Sequence, residues 1–266
     1  MLKKIAAAAA GAGLALAVSG CSVLPLPGLG GPSPLEVVKN MANDAEKADT
    51  YTASMTMSGS VGAQSMDMSA DIDYTRNPEP TLQMEMDMQG QQATVLMRGT
   101  DMVMKADSMG MGQMGGDTPE WIRFDPGDQQ VDVGSQDPLS EVEKLMAVKQ
   151  AEEAGSQDID GVPTTKYTGS YSTEEALQEV DDADAQQAAR EQFEQAGVDT
   201  VEFEAYIDGD GLPRRVVTKL GDAFTSTVDF HSFNEPSEVQ FPSESQIGSM
   251  DDLTPGLGGG SDLGGY

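Results

Sequence analysis

The chain has 266 residues, of which 45 are acidic and 15 are basic, and its formal net charge at neutral pH is −30. A chain this acidic is repelled by phosphate backbones and by anionic lipid headgroups, so nucleic acid is not an expected partner. It contains a single cysteine, which excludes an intramolecular disulfide and a zinc site built on thiolates.

Residues 1–20 are predicted to be a lipoprotein signal peptide. Two lysines near the start precede an apolar run over residues 5–18, which is too short to be read as a spanning helix. The residues that follow, Val18-Ser19-Gly20-Cys21, resemble a bacterial lipobox, in which the cysteine receives a diacylglycerol and becomes the first residue after cleavage. We therefore expect Cys21 to be lipidated and to hold the protein on the extracytoplasmic face of the cell membrane. The alternative is an ordinary signal peptide beside an unrelated cysteine.

Composition divides the rest of the chain into three parts. Residues 21–34 are rich in Pro and Gly and are predicted to be a tether. Residues 35–245 are long enough for a β domain with a hydrophobic core. Residues 246–266 are rich in Gly and are predicted to be a disordered tail.

The predicted domain begins with a helix over residues 35–48, where apolar residues recur at helical spacing. Two further helices are predicted over residues 138–154, with Ser140 and Glu143 as a capping box, and from Ser172 or Thr173 to Gly197. Short segments with alternating polarity predict about eleven strands, at residues 51–60, 66–74, 81–89, 92–99, 101–106, 121–125, 156–160, 163–171, 201–208, 213–220 and 223–233.

Because helices are inserted between runs of strands, the predicted class is α+β, with an antiparallel meander rather than alternating βαβ units. Asp160-Gly161 predicts a tight hairpin turn between two of the strands.

No catalytic or metal-binding constellation is predicted. His231 is the only histidine, and its strand parity, with a possible kink, places it on the solvent side. Asp208-Gly209-Asp210-Gly211 resembles part of a calcium loop, but the remaining ligand positions and the closing glutamate are missing, so a hairpin turn is the better interpretation. We expect a protein that is not an enzyme and that uses no cofactor or metal.

Methionine is the unusual feature, since 14 of the 17 methionines lie between Met41 and Met114. In residues 81–90, TLQMEMDMQG, leucine and methionines alternate strictly with polar residues, although strands usually bury β-branched or aromatic residues. Three interpretations remain open: an ordinary core, a copper site based on Met109, Met111 and Met114, or the adaptable wall of a cavity for acyl chains. The predicted wall residues are Met55, Met57, Met66, Met68, Ile72, Leu82, Met84, Met86, Met88, Val95, Met97, Met102 and Met104.

Soft motifs across residues 35–245 resemble the LppX/LprAFG family of actinobacterial lipoproteins. The motifs follow the lipobox and tether as PLEVVKNMANDAEKADTYTASMTMSGSV, then VEFEAYIDGDGLPRRVVTKL and FTSTVDFHSFNEPSEVQFPSES. The resemblance implies a strongly curved antiparallel β half-barrel related in fold to the LolA and LolB carriers, with helices covering the concave face and enclosing a hydrophobic cavity. It also implies binding of acylated lipids or glycolipids.

The predicted function is therefore that of an envelope lipoprotein that binds acylated lipid or glycolipid and carries or presents it without catalysis. Its predicted partners are that ligand and the membrane reached through Cys21; a transporter in the envelope is a further partner that the sequence does not identify. The alternatives are an envelope signalling or assembly lipoprotein with a filled core, and copper binding through methionine. Residues 108–119 form a glycine- and methionine-rich loop that is either a lid or an insertion without a role.

Overall fold

The structure, a computed structural model, describes residues 31–61, 64–88, 90–109, 119–124, 133, 137–178, 186–187, 190–191, 193–194, 197–221, 224–237 and 239–249. The chain divides into two compact units, Met1–Gly31 and Pro32–Tyr266, and the fold below belongs to the second. Among the described residues, no helix has the length and apolar character that crossing a membrane requires.

The described residues form three short α-helices and twelve strands. The helices are α1 (Pro34–Ala45), α2 (Leu139–Glu143) and α3 (Thr173–Gln178). The strands are β1 (Thr50–Val61), β2 (Gln64–Thr75), β3 (Thr81–Met88), β4 (Gln91–Arg98), β5 (Asp101–Lys105), β6 (Trp121–Phe124), β7 (Ala151–Ile159), β8 (Val162–Ser172), β9 (Thr200–Ile207), β10 (Pro213–Leu220), β11 (Phe224–Phe233) and β12 (Ile247–Ser249).

All twelve strands belong to one sheet with the order β12-β6-β5-β4-β3-β2-β1-β11-β10-β9-β8-β7. The neighbouring strands are antiparallel, except that β12 runs parallel to β6. The two edge strands, β12 and β7, are not paired with each other, so the sheet is open. The predicted α+β class with an antiparallel half-barrel is confirmed, and each of the eleven predicted strands is present.

The alternating sequence gives the sheet two different faces. We call the face that carries the hydrophobic core the inner face and the opposite one the outer face. On β3, Leu82 and Met84 are buried on the inner face, while Glu85 between Met84 and Met86 is exposed on the outer face. Because successive side chains of a strand point to opposite faces, the period of two is enough to sort these residues.

Helix α1 starts as its sequence requires. Ser33 caps the helix reciprocally with Glu36, and Pro34 occupies the first turn, where its missing N–H is not needed. The buried side of α1 joins the core and packs against β7, β10 and α2. Its buried residues are Val38, Met41, Ala42 and Ala45.

The second predicted helix, over residues 138–154, is mostly wrong. Helix α2 ends at Glu143, a 3-10 turn follows over Lys144–Ala147, and Ala151–Ile159 is strand β7. Its predicted capping box is also wrong, because the carboxylate of Asp137 accepts the N–H of Leu139 at 2.8 Å. The backbone of β7 instead forms hydrogen bonds with β8. Helix propensity takes no account of such a partner strand.

The third predicted helix begins as expected. Ser172 and Glu175 exchange backbone and side-chain hydrogen bonds of 3.1 and 3.0 Å before α3. Residues 193–194 are helical again, and Gly197 adopts a φ of +66° after them. Residues 179–185, in the middle of the predicted helix, lie outside the described residues.

The sequence did not predict β12, which lies inside the stretch 246–266 assigned to the tail. It is only three residues long, and Gly248 has Pro119 so close that a Cβ there would lie 2.3 Å from the proline ring. Arg123 of β6 holds this segment, since its guanidinium contacts both Asp101 and Glu244 at 2.9 Å. Residues up to Ser249 therefore belong to the sheet, and at the other end α1 begins at Pro34, the last residue assigned to the tether.

Candidate functional site

The thirteen predicted wall residues occupy inner-face positions of β1–β5. Five of them are buried in the core: Ile72, Leu82, Met84, Val95 and Met97. Four are partly buried and pack against it: Met55, Met86, Met102 and Met104. Met57 and Met68 are also partly buried. Met66 and Met88 belong to β2 and β3 at the same parity, and their side chains lie outside the described ones.

Strand register, rather than sequence distance, brings these side chains together. Met57 lies directly opposite Met68, and Ala70 lies between Met55 and Met86. On the neighbouring strands, Val95 lies between Met84 and Met104. Directly opposed side chains on one face of a sheet are close enough to pack together, so the residues form one continuous apolar surface.

Burial varies across this surface. Met84 and Met97 are 8 % and 3 % exposed, whereas six other methionines retain more accessible surface. We call these six the methionine patch: Met55, Met57, Met68, Met86, Met102 and Met104. Helices α1 and α2 both pack against β10, and α1 also against β7, in the other half of the sheet. The patch therefore borders the packed core and remains partly accessible.

Inner and outer faces differ sharply in charge. In the part of the chain that the structure describes, the inner-face positions of β1–β4 and β8–β11 that pair with a neighbouring strand carry no charged residue. On the outer face, Asp71 lies directly opposite Glu85. Burial, and then the charges of Glu85 and Asp71, raise the pKa of the Asp73 carboxyl. The inner face can thus contact an apolar molecule without desolvating a charge.

Aromatic rings pack together at the end of the inner face where β1 begins. Tyr51 stacks on Tyr74 with ring centroids 5.0 Å apart and meets the edge of Phe230 at 5.8 Å, while Phe230 stacks on Phe233 at 5.3 Å. The hydroxyl of Tyr51 donates a hydrogen bond to the carboxylate of Asp137. This end of the face is a filled core rather than a cavity wall.

The outer face also carries the single histidine. Thr52 and Ala53 of β1 pair with Ser232 and Phe230, so His231 is the extra residue of a β-bulge. Its Nε2 lies 3.1 Å from the hydroxyl of Ser54, and its side chain is exposed, as the sequence predicts.

The acidic turn between β9 and β10 is the predicted hairpin turn. The carboxylate of Asp208 accepts the N–H groups of Asp210 and Leu212 at 2.9 and 3.0 Å, and it accepts the Arg214 guanidinium at 2.7 Å. Its oxygens thus already have partners. The described residues contain no group of three or more His, Cys, Asp or Glu residues that could hold a metal ion.

Two surface cavities lie away from the methionine patch. The one beside α3 has a volume of about 360 Å³, with Leu177, Phe193 and Val198 in its wall. The other, at the start of β7, has about 370 Å³ and is lined by polar residues around Tyr171. Sequence patterns did not indicate either cavity, because each one is formed by residues from separate elements.

Three predicted features are outside the described residues or only partly inside them. Cys21 and the signal peptide lie outside. Of the loop at 108–119, the structure describes only Ser108, the backbone of Met109 and Pro119, so a lid and a copper site there stay predictions.

Comparison with known proteins identifies the fold. No protein-family model matches the sequence, and no curated protein matches it either. The solved structure of the Mycobacterium tuberculosis lipoprotein LppX matches with a TM-score of 0.53 and 16% identity, over 79% of this chain and 100% of LppX. LprF from Mycobacterium bovis matches with a TM-score of 0.55 and 16% identity, over 80% of this chain and 99% of LprF. The resemblance found in the sequence is confirmed at the level of the fold, and the chain has the fold of LppX and LprF.

Proposed function

We propose that this chain is a cell-envelope lipoprotein that binds acylated lipid or glycolipid on the methionine patch and carries or presents it. The observation that carries this proposal is the patch itself: six partly buried methionines on an uncharged inner face that continues into the core. The fold shared with LppX, which is a lipoprotein, supports the proposal.

Binding on this patch requires partition rather than chemistry. Burying one methylene group stabilises a complex by about 0.8 kcal/mol, so about ten buried methylenes compete seriously with a bilayer. Methionine side chains are unbranched and polarizable, and they repack around ligands of different shape. The methionine patch therefore suits acyl chains of varied length better than one rigid ligand. No step of this function requires a catalytic residue.

The same proposal places the protein at the membrane. Diacylglycerol on Cys21 would anchor it, and residues 21–34 would give the domain reach from the surface. The negative charge of the chain argues against adsorption to anionic lipid headgroups, so the acyl anchor would supply the attachment.

The second candidate function is that of an envelope signalling or assembly lipoprotein with a filled core. It is favoured by the burial of five predicted wall residues, Ile72, Leu82, Met84, Val95 and Met97, within the core. A filled core needs no ligand and would leave the methionine patch as a surface for a protein.

Native mass spectrometry separates the two functions. The chain from residue 22, which contains the whole core between Val38 and Phe230, is purified under mild conditions without the predicted signal and anchor. Lipid binding predicts a mass increase from copurified acyl lipid that organic extraction removes. A clean mass, together with no uptake of added acyl lipid, would reject the lipid function and favour the filled core.

A further inference from the structure

Two hydroxyl side chains are buried on the otherwise apolar inner face. Thr218 of β10 and Ser226 of β11 are 4 % and 5 % exposed and lie directly opposite each other. Ser226 is also directly opposite Met57 of β1, at the border of the methionine patch. The two hydroxyls are therefore neighbours on one face, next to the surface on which the proposed lipid would lie.

Neither hydroxyl makes a hydrogen bond in the described structure. The other buried polar residues there do: Thr81 donates to the carbonyl of Glu79 at 3.0 Å, Thr164 donates to that of Gln157 at 2.6 Å, and Asp208 pairs with Arg214. Burying an unpaired hydroxyl costs free energy, so the pair is expected to bind a partner from outside the protein, either water or a ligand.

The oxygens of Thr218 and Ser226 each keep some accessible surface. Among the described residues, every side-chain oxygen that is fully shut off from solvent has a hydrogen-bond partner. Both hydroxyls lack a partner, so each must keep some accessible surface. On the other side of Thr218 lies Phe203, whose ring leans onto Gly169 of β8, so close that a Cβ there would meet it at 2.6 Å. The ring thus lies over Gly169, on the side of β9 away from Thr218.

The chemistry of the pair restricts what it binds. A hydroxyl can donate to a carbonyl oxygen, but it cannot neutralise a carboxylate. No cationic residue occupies the inner-face positions of β1–β4 and β8–β11 that pair with a neighbouring strand, and the whole chain is strongly negative, so an anionic group is disfavoured. A neutral ester carbonyl fits both conditions.

We propose that Thr218 and Ser226 form a polar subsite that binds the ester carbonyl of a neutral acyl lipid, a proposal that rests on the proposed lipid function. The distance from β10 to Met86 on β3, measured across β11, β1 and β2, is four strand spacings, or about 19 Å. This distance is comparable to the length of an extended acyl chain. The ester would thus be held by the hydroxyls while the chain lies on the methionine patch.

The test compares ligands that differ only at the head. Dodecane, methyl dodecanoate and dodecanoate compete with a pyrene-labelled alkane for the chain from residue 22. The combined Thr218→Val and Ser226→Ala variant should bind methyl dodecanoate more weakly, by about five- to tenfold for each hydroxyl, and dodecane as before. Thr227→Val, one residue from Ser226 on the outer face, is the matched control and should change neither affinity.

Stability supplies an independent readout. Because valine has nearly the shape of threonine and no protein hydrogen bond is lost, Thr218→Val should leave the Tm of the lipid-free protein unchanged or raise it. Equal weakening of ester and hydrocarbon, or no weakening of the ester, would overturn the subsite while leaving lipid binding intact. Failure of the wild type to bind any of the three ligands would overturn the proposed function and the subsite together.

Discussion

The buried hydroxyl of Tyr51 on β1 donates a hydrogen bond to the carboxylate of Asp137, just before α2. The same carboxylate accepts the backbone N–H of Leu139 at 2.8 Å, so one acidic group both caps α2 and attaches it to the sheet. Arg76 lies nearby and donates to the carbonyl of Ala48 at 3.1 Å, at the end of the α1 region. This contact holds the helical cover on the closed end of the inner face.

Burial raises the pKa of Asp137 above its ordinary value, although hydrogen bonds from Tyr51 and Leu139 and the charge of Arg76 oppose the rise. A carboxyl with a raised folded pKa stabilises the protein below its ordinary pKa, and that contribution is lost as pH rises through the folded pKa. The unfolding free energy of wild type, relative to Asp137→Asn, should therefore fall as pH rises above the ordinary carboxyl pKa of about 4. Urea unfolding followed by the single tryptophan, Trp121, measures it. Parallel pH curves for the two proteins would contradict the assignment.

Glu204 on the outer face should show the opposite pH dependence. Burial opposes its ionisation, but hydrogen bonds from Lys166, Lys219 and Tyr206 outweigh burial and lower its pKa to about 2. Its contribution to stability is therefore present above the ordinary carboxyl range and lost as pH falls towards 2.

Glu204→Gln should lower the free energy of unfolding by about 1–2 kcal/mol at neutral pH, and the difference from wild type should shrink in acid. Urea titrations at neutral pH and in acid check this. Glu202→Gln, on the same strand and exposed, is the control that should have little effect at either pH. A difference that stays constant with pH would show that the lysines do not stabilise the ionised form.

Met86→Asp tests the methionine patch directly. The substitution places a charge on the inner face, where an acyl chain would lie, and should weaken lipid binding by about tenfold or more. Glu85→Gln, one residue away on the exposed outer face, should leave binding nearly unchanged. Binding of a fluorescent fatty ester to both folded variants is the measurement. Equal loss in the two variants would show that the lipid does not use the inner face.

Limited oxidation tests accessibility of the same side chains without mutation. Hydrogen peroxide must reach the sulfur to convert methionine to its sulfoxide, so Met57 and Met68 should react before Met84 and Met97. Peptide mass mapping after brief treatment gives the order. Prior loading with an acyl lipid should slow the reaction at Met57 and Met68 in particular. If lipid changed none of these rates, the ligand would have to bind elsewhere.

Cys21→Ser tests the anchor. If the cysteine carries the diacylglycerol, the variant should lose both lipid addition and the cleavage that depends on it. Metabolic labelling with palmitate and fractionation of the envelope measure the two effects. The experiment is unambiguous because Cys21 is the only cysteine in the chain. Normal processing and retention of the variant would exclude lipidation at this position.

Sequence alone determined the faces of most strands. The opposite environments of Met84 and Glu85 follow from the period of two, a local property of extended backbone. The hairpin turn at Asp160-Gly161 is equally local: both residues adopt positive φ angles, of 51° and 84°, which Asp and Gly tolerate. The α+β class and the eleven predicted strands could be inferred from such patterns.

Only the tertiary structure decided which elements meet. Residues 151–154 fit a helical pattern, yet they belong to β7 because β8 supplies a partner strand for their backbone. Likewise, the pairing of β1 with β11 places Met57 beside Ser226, and the pairing of β10 with β11 adds Thr218. Strand pairing depends on hydrogen bonds between segments far apart in the chain, so no local pattern could place two lone hydroxyls next to a methionine patch.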